Sequence, residues 1–488
     1  MGSGSDDADP VNLSSVGYCT MSIEPIGLLT IIAGLLGLLL GYRAAFATLV
    51  VATLFGAAAA VLIGPANIQP AHLLLAFVAA TVFTRNHERA GAIDSIRFPK
   101  PGFWLMCLVL YGVVSAILIP RFLAGDAQII PLGASEYAAT GSTVPLGPVS
   151  SNFTQSVYMI ADLICFTIAV AVASTQAGFA AITGALLAYA AGNVLFALVD
   201  VVTYSSGTQW LLEFMRNAQY TLHNEEEVSG LKRIVGSFPE ASAFARTTLG
   251  ALGFTGTLWL CGRRPALTGV LAIASLVLVV LSTSSTGLAG TGPVLLILYA
   301  TALLRSGFHP NRPYRSAAVL CAPLAVIAVV LAVLLNDAAS ETVRNYIDLL
   351  IFNKAGSDSG VARDAWNVYA LQNFFDSYGL GVGLGTVRTS SLPFALVSNV
   401  GIPGSLFYLL FIGTAFLHGR GTPRTFPSDV RLAARNACLG LIIGDALAAP
   451  TVEQGLLFYV LAAMACAEPE RTAEEPFAES SPLTGARA

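Results

Sequence analysis

The chain has 488 residues, of which 55% are hydrophobic and 11% are charged, and its mean hydropathy is +0.71. Soluble domains carry about 25% charged residues, so this composition excludes an ordinary soluble domain. The net charge of −4 and the lack of a basic run argue against a nucleic-acid partner.

Long apolar segments predict an all-α polytopic membrane protein. Each is long enough, or nearly so, to cross about 30 Å of hydrocarbon as a helix, and we expect about 12–13 transmembrane helices. The tails 1–23 and 468–488 are expected to be disordered, which leaves 24–467 as one membrane domain. In chain order, the expected spans are 24–41, 44–64, 68–84, 102–123, 156–174, 177–203, 240–261, 265–283, 287–304, 317–335, 402–418, 431–448 and 452–467.

Basic residues orient these helices, because short cytoplasmic loops collect Lys and Arg. Sixteen of the 25 Lys and Arg residues fall on one side, which we predict to be cytoplasmic. The other nine, Arg246 among them, lie in or beside three long segments. We expect these segments to face the periplasm of a bacterial inner membrane, and they are 125–155, 204–239 and 336–401.

The apolar segments contain four acidic residues that have no cation among their sequence neighbours. Acids within membrane spans are a functional hypothesis by default. A proton-coupled transporter would account for them, and so would a hydrogen-bonded structural role. They are Asp162, Asp200, Asp445 and Glu453.

The second outward segment ends with Lys232 and Arg233 and leads into Glu240 at the start of a span. An acid in the first turn of a helix is favoured by the helix dipole, which gives Glu240 a purely structural interpretation. Alternatively, a partly buried carboxylate at the membrane surface accepts a proton from a sugar hydroxyl. We therefore take Glu240 as the candidate catalytic base.

The third outward segment combines Arg363, Trp366, Arg388 and Ser390 with a glycine ladder over 379–385. Arginine matches phosphate oxygens bidentately, so Arg363 is a candidate catalytic residue. The candidate substrate-binding residues are Arg233, Arg388, Trp366, Lys232 and Ser390. Contact of these cations with lipid head groups is the alternative. The ladder lacks the GxGxxG order of a nucleotide site and predicts a tight bend instead.

The motifs of this segment resemble the large periplasmic loop of the O-antigen ligase/polymerase superfamily. They are Ser359-Gly-Val-Ala-Arg363-Asp-Ala-Trp366, Tyr378-Gly-Leu-Gly-Val-Gly-Leu-Gly385, and Arg388-Thr-Ser390-Ser391 followed after nine residues by Gly401-Ile-Pro-Gly404. The segment Arg233-Ile-Val-Gly-Ser-Phe-Pro-Glu240-Ala-Ser is similar to the preceding loop in the exopolysaccharide-polymerase branch. O-antigen ligases carry a histidine where this chain has Ser390, which favours polymerisation over ligation.

The resemblance implies a GT-C-like membrane glycosyltransferase. It would join oligosaccharide repeat units on undecaprenyl pyrophosphate into an exopolysaccharide or O-antigen-type polymer at the periplasmic face. Its partners would be this lipid-linked oligosaccharide, the lipid membrane and a chain-length regulator, with no metal or other cofactor. The alternatives are a ligase that moves glycan to another acceptor, and a polysaccharide or lipid transporter. Transporters show inverted repeats, and we find no self-similar halves here.

Overall fold

The computed structural model describes residues 21–63, 66–137, 143–219, 222–223, 226–228, 231–306, 313–348, 356 and 358–470. The tails expected to be disordered lie mostly outside the described residues, in 1–20 and 471–488. The inner edge of each tail is ordered, because Met21–Ile23 forms a strand and Glu470 pairs with Arg431. The ordered chain therefore extends a few residues beyond 24–467 at both ends.

The described chain is mostly helical, and many of its helices begin with a proline in the first turn, where the missing N–H costs nothing. A 3-10 helix covers Gln209–Met215, and a π-helix, Leu396–Val400, joins α14 to α15. The helices are α1 (Pro25–Leu40), α2 (Tyr42–Ala52), α3 (Pro70–Phe83), α4 (Asn86–Ser95), α5 (Pro101–Phe122), α6 (Ser150–Ala173), α7 (Gln176–Ser206), α8 (Ala241–Leu260), α9 (Pro265–Leu281), α10 (Ser285–Ser306), α11 (Pro313–Leu334), α12 (Asp337–Ile347), α13 (Asp358–Asp376), α14 (Leu392–Ala395), α15 (Gly401–Phe416), α16 (Phe426–Ala448) and α17 (Leu456–Cys466).

Short antiparallel strands lie in the connecting segments. The first three strands form one sheet in the order β1-β2-β3, with Met21 opposite Ile63 and Val61 opposite Ile68. The other four form two hairpins, β4 with β5 and β6 with β7. The strands are β1 (Met21–Ile23), β2 (Val61–Ile63), β3 (Ala66–Ile68), β4 (Gln128–Ile129), β5 (Val144–Pro145), β6 (Glu227–Val228) and β7 (Leu231–Lys232). The prediction of an all-α fold did not include them.

Within the described residues, five helical units are long and apolar enough to cross a membrane. They are Pro101–Phe122, Ser150–Ala173, Gln176–Ser206, Ser285–Ser306 and Leu392–Phe416, and the bent pair α11–α12 makes a sixth if it is one span. Several other predicted spans form apolar helices of only 10–17 residues, namely α1, α2, α3, α9 and α17. Large apolar side chains are exposed along α5, α9 and α11, as lipid contact requires. The fold is that of a mostly helical membrane protein.

The expected span 44–64 is not one helix. After α2 the chain continues as a buried irregular segment up to β2. Its backbone groups bond to protein: Ala57 N–H donates to the Ser237 carbonyl at 3.1 Å, and the Asn217 side chain bonds both the N–H and the carbonyl of Ala59. Irregular chain at apolar positions is stable where protein groups satisfy the backbone. The apolar composition of this stretch therefore reflects contact with a neighbouring segment.

The expected span 452–467 is helical only from Leu456, after an irregular turn that ends at Gly455 with a φ of 82°. A buried side chain in this turn, Gln454, accepts from the Tyr408 hydroxyl and donates to the Asp445 carboxylate, both at 2.9 Å. These bonds hold the turn against α15 and α16, so the chain bends inside the protein before α17 begins.

Helices α8 and α16 pack closely and antiparallel at the centre of the fold. Small residues allow the approach, since a Cβ on Gly440 would lie 2.7 Å from the Leu249 carbonyl oxygen and one on Gly253 would lie 2.7 Å from that of Asn436. Close glycine contacts are typical of membrane helix pairs. The pair defines two ends of the molecule. We call the end with the start of α8 and the finish of α16 the loop end, and the opposite end the basic end.

Candidate functional site

The segment between α13 and α14 is a series of tight turns on four alternating glycines. Gly379, Gly381, Gly383 and Gly385 have φ angles of 76°, 80°, 103° and 78°, in the region that glycine adopts most readily. A Cβ on Gly381 would also lie 2.6 Å from the backbone nitrogen of Gly401. The prediction of a tight bend is confirmed, and the turns leave no room for side chains.

The first outward segment holds these turns in place through buried hydrogen bonds. Asn152 on α6 donates to the Leu384 carbonyl at 2.7 Å and to the Thr386 hydroxyl at 2.8 Å. The backbone N–H of Arg388 donates to the Ile130 carbonyl at 3.0 Å. Each such bond contributes about 1 kcal/mol. Together they fix the backbone that carries Arg388.

Four of the seven predicted site residues form one cluster beside these turns. The Arg388 guanidinium lies 4.4 Å from the centre of the Trp366 ring on α13, a cation–π contact. The Ser390 hydroxyl donates to the Arg363 carbonyl at 3.4 Å, and the Ser390 N–H donates to the Asn367 side chain at 3.0 Å. We call Arg363, Trp366, Arg388 and Ser390 the arginine–tryptophan cluster.

The two arginines of this cluster are not neutralised. Within the described residues neither Arg363 nor Arg388 forms an ion pair with a carboxylate, and Arg388 is exposed. The described residues also contain no group of three His, Cys, Asp or Glu side chains that could hold a metal ion. The described residues supply positive charge at this cluster through Arg363 and Arg388, whose paired N–H donors match phosphate oxygens.

The arginine–tryptophan cluster lies directly on the loop end of α16. The Thr389 hydroxyl donates to the Ala449 carbonyl at 3.1 Å, and the Ser391 hydroxyl donates to the Ala446 carbonyl at 2.7 Å. These bonds also satisfy carbonyls that the end of a helix leaves without partners. The segment that carries the cluster is thereby joined to α16.

An ion pair lies beneath this junction, between α8 and α16. Arg246 donates from both Nε and Nη2 to Asp445, with an Nη2–Oδ2 distance of 2.8 Å, and also to the Gln454 carbonyl at 2.6 Å. A Cβ on Gly444 would lie 2.8 Å from Cγ of Arg246, so this glycine makes room for the arginine. The pair holds the two helices together where the cluster rests on them.

A buried acid on α6 has a different environment. Asp162 is fully buried near the middle of the helix, and within the described residues neither carboxylate oxygen has a hydrogen-bond partner. It interacts electrostatically with Glu453 and Arg246. Ionisable groups at such depth are costly and frequently functional.

In the second outward segment, Asp200 organises the chain. This buried acid on α7 accepts from Arg216 Nη2 at 2.7 Å and from the N–H groups of Val235 and Gly236 at 2.9 and 3.1 Å. The Lys232 ammonium lies 3.5 Å from the same carboxylate. Asp200 thus fixes the segment that leads into α8.

The other three predicted site residues belong to this second segment, which leads into α8 at the loop end, and are not members of the arginine–tryptophan cluster. The Lys232 side chain is only 7% exposed, and Arg233 pairs with Glu226. Glu240 is half-buried at the start of α8, accepts from the Ser242 hydroxyl and has no ion pair within the described residues. Carboxylates therefore compensate the two cations, whereas within the described residues no cation pairs with Glu240.

The sequence analysis missed the role of Arg246, which it counted only as an outward cation. Arg246 lies six residues inside the expected span 240–261, and a charge at that depth needs a partner. This signal was available in the sequence. The identity of the partner was not, because Asp445 is 199 residues away.

No protein-family model, curated protein or solved structure matches the chain. The assignment of a function therefore rests on the residues and their geometry.

Proposed function

We propose that the protein is a membrane glycosyltransferase that joins oligosaccharide repeat units carried on undecaprenyl pyrophosphate. The observation that carries the proposal is the arginine–tryptophan cluster: two arginines without carboxylate partners among the described residues, beside an aromatic ring and at the end of α16. The arginines suit a pyrophosphate, the ring suits a sugar, and the membrane supplies the lipid tail.

The reaction needs a base for the acceptor hydroxyl and positive charge for the leaving group. Glu240 takes the hydroxyl proton, and the freed oxygen attacks the anomeric carbon of the donor sugar. The bond from that carbon to the pyrophosphate oxygen breaks, and the lipid pyrophosphate leaves with the electron pair. Arg363 and Arg388 offset the charge that develops on it.

Polymerisation rather than ligation is supported by Ser390. Its hydroxyl contacts the Arg363 carbonyl, and its N–H contacts Asn367. A serine needs an adjacent base to act in catalysis, and none of these contacts supplies one. Ser390 therefore orders the turn and does not take the part of the ligase histidine.

The same proposal assigns the loop end to the periplasmic side of a bacterial inner membrane. The positive-inside pattern supports it, because the short loops at the basic end hold most of the Lys and Arg residues. The short apolar helices would count as spans, which gives a GT-C-like fold with about 12–13 crossings and a large outward loop.

Reconstitution tests the proposal. The purified full-length protein in proteoliposomes, given repeat units on undecaprenyl pyrophosphate, should form polymers of many units and release the free lipid pyrophosphate. Transfer of one glycan to a different acceptor would favour the ligase alternative. Deletion of the gene should leave single repeat units on the carrier, whereas full-length polymer stranded on the carrier would contradict the proposal.

One observation favours a second candidate function, a proton-coupled transporter. Asp162 is an acid without a hydrogen-bond partner in the described part of the chain, near the middle of a spanning helix. A transporter would move lipid-linked glycan across the same proteoliposomes without forming new glycosidic bonds. Transport should then stop in Asp162→Asn, whereas a transferase should keep its bond-forming activity in this variant.

A further inference from the structure

A second positively charged site lies at the basic end. Arg431 at this end and Asp445 at the loop end are 14 residues apart on α16, and at 1.5 Å per residue this separation is about 21 Å. Helices α10, α15 and α16 and the loop after α15 enclose a cavity of about 310 Å³ there, a volume typical of ligand pockets. Its charged lining residues are Arg305, Arg420, Arg431 and Arg435.

Among the described residues, no carboxylate lines this cavity. Three of its arginines do have acidic partners, but these acids lie outside the lining. The described lining residues therefore carry positive charge, and for these three arginines the compensating charge comes from acids outside the lining. The ion pairs are Arg305–Asp429, Arg420–Glu468 and Arg431–Glu470.

The fourth arginine, Arg435, has no acidic partner among the described residues, and its buried Nε has no hydrogen-bond partner there. Buried donors are nearly always satisfied in native proteins. An anion in the cavity would supply the missing charge.

Apolar side chains lie in and beside the cavity. Leu304 lines the cavity, and both Leu304 and the nearby Leu417 are 84% exposed. Phe416 and Leu432 add to the apolar lining. The site thus combines a cationic interior with a surface suited to acyl chains, so it fits an amphiphile better than a free ion.

We propose that this cavity binds the phosphate headgroup of an anionic phospholipid. Basic pockets between membrane helices recognise such headgroups through charge-assisted hydrogen bonds. Arg435 contacts the phosphate, Arg420 and Arg431 form the walls, and the acyl chains lie along Leu304 and Leu417. The site is independent of the proposed transferase reaction, because it lies at the other end of the bundle.

Native mass spectrometry of the full-length protein tests this assignment with three probes: phosphatidylglycerol, phosphatidylethanolamine and inorganic phosphate. We expect the wild type to retain phosphatidylglycerol in preference to the other two. Arg435→Gln should weaken that binding about tenfold, as expected for the loss of a charged hydrogen bond. Arg97→Gln is the matched control, since this arginine also lies away from the loop end but its side chain is 72% exposed.

A second variant covers the case in which Arg435→Gln folds poorly. Ser428 lines the cavity, and its N–H already donates to the Thr425 hydroxyl at the start of α16. Ser428→Glu completes a capping box, which favours the helix, and places a carboxylate among the arginines. It should abolish phosphatidylglycerol retention. Retention equal to wild type in either folded variant, or equal retention of both lipids by the wild type, would overturn the proposal, as would phosphate binding in place of lipid.

Discussion

Two long polar segments of this protein carry cations in opposite surroundings. In the segment before α8, each basic side chain pairs with a carboxylate. In the segment from α13 to α14, the two arginines have no carboxylate partner among the described residues. The pairs in the first case are Arg216–Asp200, Lys232–Asp200 and Arg233–Glu226.

The difference separates cations that hold the chain from cations that are free to hold a ligand. A buried pair fixes its neighbours, and removing one partner leaves an uncompensated charge. An exposed arginine stacked on a ring keeps its N–H donors available for an anion. From the sequence, the basic residues Lys232 and Arg233 and the arginines Arg363 and Arg388 were equal candidates for the site. A sequence shows residue types but not the residues with which they pair.

The largest loss of activity is expected at Glu240, where the segment before α8 meets the helix. This acid lacks a cation within the described residues, as Arg363 and Arg388 lack an anion. If it is the base, Glu240→Gln should lower polymer synthesis by about 10²- to 10⁴-fold while expression and membrane insertion stay normal. Polymer yield from the reconstituted variant measures this. Substantial activity would leave Glu240 with only its role at the start of the helix.

Next in size is the loss expected from Arg388→Ala. Removal of one group that stabilises developing charge costs about 10²- to 10³-fold in rate. Arg388→Lys should fail nearly as badly, because a point charge lacks the paired donors. Arg344→Ala, at an exposed outward arginine on α12, is the control and should keep its activity. Equal polymer yield from the Arg388 and Arg344 variants would contradict the assignment of Arg388 as a ligand-binding cation.

In the segment before α8 the expected change is one of stability. Arg216→Met removes the closest cation from buried Asp200 and should lower the free energy of unfolding by about 3 kcal/mol. A denaturant titration in detergent micelles measures it. The double variant Arg216→Met/Asp200→Asn should not recover the loss, because the buried Lys232 ammonium, 3.5 Å from this carboxylate, would then be left uncompensated. An unchanged unfolding midpoint in the single variant would show that this pair does not hold the segment.

The smallest effect is expected at Ser390. Its hydroxyl makes one long hydrogen bond of 3.4 Å to the Arg363 carbonyl. Ser390→Ala should therefore cost at most about 1 kcal/mol and keep most of the polymer yield. A loss as large as that of Glu240→Gln would mean that Ser390 takes part in the chemistry, contrary to this account.

Hydropathy predicted the helical membrane fold, and local motifs predicted the cluster. Arg363, Trp366, Arg388 and Ser390 lie within 28 residues of each other in sequence, and the glycine turns bring them together. A local pattern was sufficient here because the cluster is built from one segment.

Contacts between distant segments were not predictable in this way. The pairing of Arg246 with Asp445 needs the antiparallel packing of α8 on α16, which no local pattern shows. Residues 53–60 are apolar because they pack against the segment that contains Ser237, and not because they are helical. Composition records burial but does not distinguish burial in lipid from burial in protein.

The central claim is that the arginine–tryptophan cluster binds the pyrophosphate of a lipid-linked donor. Binding of undecaprenyl pyrophosphate to the purified full-length protein tests it most directly, because it requires neither acceptor nor turnover. Arg388→Ala should weaken this binding by at least about tenfold, or 1.4 kcal/mol, while Arg344→Ala should bind as the wild type does. Equal affinities for the wild type and Arg388→Ala would contradict the account.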